Sequence, residues 1–106
     1  METYVVDTHS LIWYIAEDGR LSEHAERLLD KAQDAEVQVL VPTVVLAEVA
    51  YIAWKKKVKI TLDTVLERIE RGDGFVVVSF DFAIFQTMLQ FPDEMAHGAW
   101  RIAHSA

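Results

Sequence analysis

Tyr4-Val5-Val6-Asp7-Thr8-His9-Ser10-Leu11-Ile12-Trp13-Tyr14 decides the fold class of this chain. Tyr4-Val5-Val6 is a short apolar, β-branched run, which predicts a buried strand ending at Asp7. Thr8 to Ser10 turn the chain, and Leu11 to Ala16 predict a short helix closed by Gly19. A carboxylate directly after an apolar strand has two readings. It stands where ligands gather in open α/β sheets, at the carboxyl end of a strand. It is equally a good N-cap for the helix that follows.

The alternation continues outward from that stretch. Ser22 predicts an N-cap, with Glu23 and Glu26 at the positive end of a helix whose apolar stripe is Ala25, Leu28, Leu29 and Ala32. Val37 to Val41 predict a second strand, stopped by Pro42. Thr43 is expected to cap a helix from Val44 to about Lys57. That helix is apolar nearly all round and is expected to be central and buried. Thr61 starts a further helix with Leu62, Val65, Leu66 and Ile69 on one face, ended by Gly72 and Gly74. Phe75 to Ser79 predict a third strand, and Asp81 caps a helix to about Gln90. Residues 92–98 read as a loop, and Ala99 to Ala106 as the start of one more helix. Strands alternating with helices imply a three-layer α/β domain over residues 1–106, a short parallel sheet with helices on its faces and right-handed crossovers.

Composition narrows the function classes. The chain has 106 residues, 52% of them hydrophobic, and a net charge of −7. Its overall field repels nucleic acid, so any such ligand needs a local feature, a metal ion or a basic patch. The clear basic run is Lys55-Lys56-Lys57 with Lys59. The lack of cysteine excludes disulfides, zinc–thiolate sites and thiol nucleophiles, and it fits a cytoplasmic location. Met1-Glu2-Thr3 lacks the basic start of a signal peptide, and no apolar run reaches the ~18 residues of a membrane span, so no membrane role is expected.

Glu48 is the most informative residue. It lies in Val44-Val45-Leu46-Ala47-Glu48-Val49-Ala50-Tyr51-Ile52. A buried unpaired carboxylate costs several kcal/mol or becomes protonated, so such a helix carries a Glu when something pairs with it. A divalent cation, an Arg or a hydrogen-bond network would serve. The alternative is a narrow solvent stripe shared with Lys55, seven residues on. Thr8 and Ser10 have hydroxyls able to hold a metal-bound water or a phosphate oxygen, although such residues more often only make the turn. His9 has no second histidine at ligand spacing. Asp81 is most simply a cap. Asp93 and Glu94 read as solvated loop residues, and Gly98 between His97 and His104 argues against a two-histidine site.

Taken together, these stretches resemble the PIN-domain family, and within it the VapC toxins. Val5-Val6-Asp7-Thr8-His9-Ser10-Leu11-Ile12-Trp13-Tyr14 is similar to the family's opening strand and first acidic motif. Leu21-Ser22 to Leu28-Leu29 is similar to its second helix. Val41-Pro42-Thr43-Val44-Val45-Leu46-Ala47-Glu48-Val49 is similar to its second acidic motif. The resemblance implies an endoribonuclease using Mg²⁺ or Mn²⁺, with three or four carboxylates holding a metal that activates water. It implies Asp7 and Glu48 as metal and catalytic carboxylates, neighbours in space, with Thr8 or Ser10 in support. RNA as substrate, a cognate antitoxin and a homodimer follow from the same resemblance.

The chain departs from the family after Glu94. The third acid is expected in Glu94-Met95-Ala96-His97-Gly98-Ala99-Trp100-Arg101-Ile102, where Gly98 or Trp100 stands instead. The resemblance further implies a truncated or frameshifted chain, ending before the family's fourth acid and last two strands; with the family's sheet order, 3-2-1-4-5, that would leave the first strand at an open edge. Three explanations stay open: a decayed gene, ranked first; a dimer or partner that covers the edge; or Asp93 and Glu94 as substitute ligands. Impaired or lost activity is expected. The competing class is a non-catalytic module that binds an antitoxin or self-associates. A haloacid-dehalogenase-type phosphatase would need an acid where His9 stands, and a receiver would need an acidic pair that is absent.

Overall fold

The computed structural model describes residues 2–55, 59–89 and 99–102. The elements run β1 (Thr3–Val6), α1 (Thr8–Ile15), α2 (Glu23–Gln33), β2 (Gln38–Pro42), α3 (Thr43–Trp54), α4 (Leu62–Arg71), β3 (Phe75–Val78), α5 (Phe82–Leu89) and β4 (Ala99–Ile102). The sheet order is β3-β2-β1-β4. β1 pairs parallel with β2, Val5 opposite Leu40, and β2 pairs parallel with β3, Val41 opposite Val77. The expected α/β class with a short parallel sheet is the observed one.

With β1, β2 and β3 side by side, crossovers of the usual right hand would put their helices on one face. The packing agrees: α1 touches α2, α3 and α4, and α3 touches α4. Val6, Val39 and Val41 face this layer and join Leu11, Ile12, Leu29, Val49 and Val65 in the core. Neighbouring residues of a strand point to opposite faces. Val5 and Val6 are both 0% exposed, so β1 is covered on both sides.

β4 corrects two expectations. Residues 99–102 form a strand, not the start of a helix, and it pairs antiparallel with β1, Val5 opposite Trp100. β1 therefore lies inside the sheet, and a fourth strand stands where the last strands were expected to be missing. The physical reason is the row of backbone N–H and C=O groups that an open β1 edge presents, which a second strand satisfies. The rest of the expected helix, to Ala106, and the expected loop at 92–98 lie outside the described residues.

Helix ends follow the sequence in part. The Ser22 hydroxyl accepts from Ala25 N at 3.1 Å, and that of Thr61 from Thr64 N at 3.2 Å, as expected of N-caps. Asp81 Oδ1 accepts from Ile84 N at 2.9 Å. Gly19, however, does not close α1. The helix ends at Ile15, and just past its cap Glu17 takes φ 55° and Asp18 N donates to Trp13 O at 2.8 Å. Glycine is the usual residue in that left-handed place. Thr43 is not a cap either. Pro42 precedes α3 with no side-chain cap bond, and Thr43 is the helix's first residue.

α3 is the largest departure from expectation. It packs through Val45 and Val49, while Val44, Tyr51 and Trp54 are exposed. A helix with apolar residues all round gives no periodic signal of which side faces the core. Only contact with α1 and α4 selects the Val45–Val49 side.

Candidate functional site

Three parallel strands bring their carboxyl ends to one edge of the sheet, and the candidate residues start there. Asp7 follows β1 and caps α1, its Oδ1 accepting from Ser10 N at 2.8 Å. Asp7 is thus the N-cap of α1, and it stands at the carboxyl end of β1. Thr43 follows β2, and its hydroxyl oxygen accepts from Phe80 N at 3.3 Å. That bond ties the exit of β3 to the start of α3.

Glu48 lies on the second turn of α3 and reaches the same edge. Its Oε1 accepts from the Thr8 hydroxyl at 3.1 Å. Thr8 is 5% exposed and Glu48 is exposed, so a buried donor fixes one oxygen of a solvent-facing carboxylate. The expectation of a buried Glu48 is thus corrected: it sits on the exposed side of α3, as the solvent-stripe alternative required. Asp7 is the neighbour of Thr8 in sequence, so the three residues share one corner of the molecule.

The donor set can be tested for a hard cation. Asp7 and Glu48 each have one oxygen engaged by a hydrogen-bond donor of the protein. Among the described residues, no Lys, Arg or His forms an ion pair with either. Two carboxylates held by neutral donors, each with an oxygen to spare, fit a cation that takes its remaining ligands from water and phosphate. Among the described residues no group of three or more His, Asp or Glu could hold a metal ion. Asp93 and Glu94, the candidate substitute ligands, lie outside the described residues, as do His97 and His104.

The remaining candidates make other contacts. Ser10 is 4% exposed, and its backbone N–H serves Asp7. The exposed His9 ring lies against Trp13, centroids 5.9 Å apart. A cavity of about 360 Å³, lined in part by Trp13, Glu17, Asp18, Glu23 and Glu26, opens near the far end of α1. There the Arg20 guanidinium donates to Asp18 at 2.7 Å and its backbone N–H at 2.9 Å, and these bonds lower the Asp18 carboxyl to about 2. The Tyr14 hydroxyl donates to Asp30 at 2.8 Å; burial first, then that partner, push it up to about 12.

Sequence reasoning missed the Thr43–Phe80 tie and the exposed aromatic end of α3. The first has a signal, a Thr after a strand-ending Pro, but a Thr in that place equally predicts a helix cap. No helix of the described residues is long and apolar enough to cross a membrane. A family model described as PIN domain matches residues 4–101. No curated protein and no solved structure matches the chain.

Proposed function

Because this chain belongs to the PIN domain family, whose members are generally nucleases, we propose that it is a metal-dependent endoribonuclease of the VapC toxin type. The observation that supports this reading best is the Thr8–Glu48 bond beside Asp7 at the carboxyl edge of the parallel strands. It gives two carboxylates of separate elements a common corner, as ligands of one cation need.

Asp7 and Glu48 are the residues that would hold Mg²⁺ or Mn²⁺, the divalent cations such sites use. A bound ion would offset charge on the phosphodiester and lower the pKa of its water. Asp7 is held at its angle by the Ser10 N–H, and Glu48 by the Thr8 hydroxyl. Two carboxylates with Gly98 or Trp100 at the third position leave the site short of anionic ligands, so turnover is slow and metal affinity weak. The RNA substrate, a cognate antitoxin, a homodimer and a cytoplasmic setting belong to the same proposal. Exposed Phe80, Phe82 and Phe85 support a protein partner and keep a second reading in play, a non-catalytic module.

A fluorogenic single-stranded RNA assay with Mg²⁺ and with Mn²⁺ tests the reading, beside Asp7→Asn and Glu48→Gln. Slow metal-dependent cleavage lost in both variants is the expected result. A folded chain without any such cleavage overturns it in favour of the non-catalytic module.

A further inference from the structure

We propose that Tyr51, Trp54 and Lys55, at the carboxyl end of α3, form a platform on which a base of single-stranded RNA stacks beside the Asp7–Glu48 corner. The proposal rests on the nuclease reading above and adds to it a place for the substrate.

Both rings are turned to solvent, Tyr51 55% and Trp54 74% exposed. Their centroids lie 6.4 Å apart at 54°. The Lys55 ammonium sits 5.6 Å from the Tyr51 centroid and 5.0 Å from that of Trp54. Among the described residues no carboxylate forms an ion pair with Lys55. Aromatic faces joined to an unpaired cation are the chemistry that binds single strands: rings take bases, and the cation takes phosphate.

Position ties the platform to the site. Glu48, Tyr51 and Lys55 are spaced by three and four residues, which places them on one side of the helix. Seven residues rise about 10 Å along the axis. A strand laid along the exposed side of α3 therefore passes the Asp7–Glu48 corner while a base reaches Trp54. Charge favours RNA over a protein as the occupant. The chain carries −7 overall, yet its clear basic run, Lys55-Lys56-Lys57 with Lys59, begins at this platform. A polyanion needs such a local patch to approach an acidic protein.

The test is binding of a labelled single-stranded RNA of about ten nucleotides to the full chain. It is read by anisotropy without divalent cations, so that binding is separate from cleavage. Trp54→Ala is expected to weaken binding roughly 10-fold, a typical loss for one stacked base. Trp54→Phe keeps a ring and should stay within about 3-fold. Lys55→Gln should lower the salt slope by about 1. Circular dichroism confirms that each variant folds. Unchanged affinity in Trp54→Ala, or no RNA binding by the parent chain, overturns the platform. So does a dimer that Trp54→Ala dissociates with RNA affinity intact, which assigns the face to a second copy. Cleavage lost in Glu48→Gln but untouched by Trp54→Ala sinks the platform and leaves the nuclease. Binding lost in Trp54→Ala, with no metal-dependent cleavage by the parent chain, does the reverse.

Discussion

The Thr8 hydroxyl donates to Glu48 Oε1 at 3.1 Å, joining the first residue of α1 to the second turn of α3 across 40 positions of sequence. The donor is buried and the acceptor is exposed. Thr8 is thus held by packing, and the carboxylate takes its direction from it. If Glu48 is a metal ligand, Thr8 is a positioning residue. Thr8→Val should change stability by under about 1 kcal/mol, because the Glu48 carboxylate keeps its water. It should slow metal-dependent RNA cleavage about 10-fold, a cost typical of a small misplacement. Thr8→Ser keeps the hydroxyl and should restore the rate. Single-turnover kinetics beside a thermal melt check the pair.

Asp7 caps α1 and, in the proposed function, holds the metal, and substitution can separate the two. Asn is as good an N-cap as Asp, since its side-chain oxygen can still accept from Ser10 N. Asp7→Asn should therefore keep the melting temperature and lose Mn²⁺ affinity and cleavage. Asp7→Ala should lose both and cost about 1 kcal/mol more in stability. Calorimetric Mn²⁺ titration with urea unfolding would distinguish them. Equal destabilisation by Asn and Ala would argue against the separation.

Two substitutions test backbone geometry. Glu17 holds φ 55°, a conformation disfavoured by about 1 kcal/mol for residues with a Cβ. Glu17→Gly should stabilise by roughly 0.5–1 kcal/mol. At Gly74 a Cβ would collide with the backbone oxygens of Ala32 and Val37. Gly74→Ala should cost about 1–3 kcal/mol, as overpacking does. Chemical denaturation measures both, and a neutral Gly74→Ala would show that the α2–β2–β3 junction yields easily.

Tyr14 predicts the alkaline limit. Its folded pKa is raised, to about 12, above the ordinary value of 10.0. A raised folded pKa means the folded state holds the proton more tightly. The resulting stability is complete below about pH 10 and is lost as pH climbs through about 12. The parent chain should therefore lose stability steeply across that window, and Tyr14→Phe should flatten the decline. Denaturation midpoints from pH 8 to 12 provide the comparison.

By itself, the sequence determined the alternation of three strands with helices, the α2 stripe of Ala25, Leu28, Leu29 and Ala32, the caps at Ser22 and Asp81, and the helix start at Thr61. These rest on local periodicity and on short side-chain-to-backbone bonds, which a run of ten residues contains. It also placed Asp7 at a strand end, because a polar residue after an apolar run marks where the strand leaves the sheet. Tertiary structure alone decided the rest. α3 is apolar nearly all round, so its own residues left open whether Glu48 is buried and paired or, with Tyr51 and Trp54, faces water while Val45 and Val49 face the core. The Thr8–Glu48 and Thr43–Phe80 bonds join residues 40 and 37 positions apart, and such pairs exist only once the parallel strands align their ends. Residues 99–102 became a strand because β1 offered an open row of backbone groups, a demand set by a distant part of the chain.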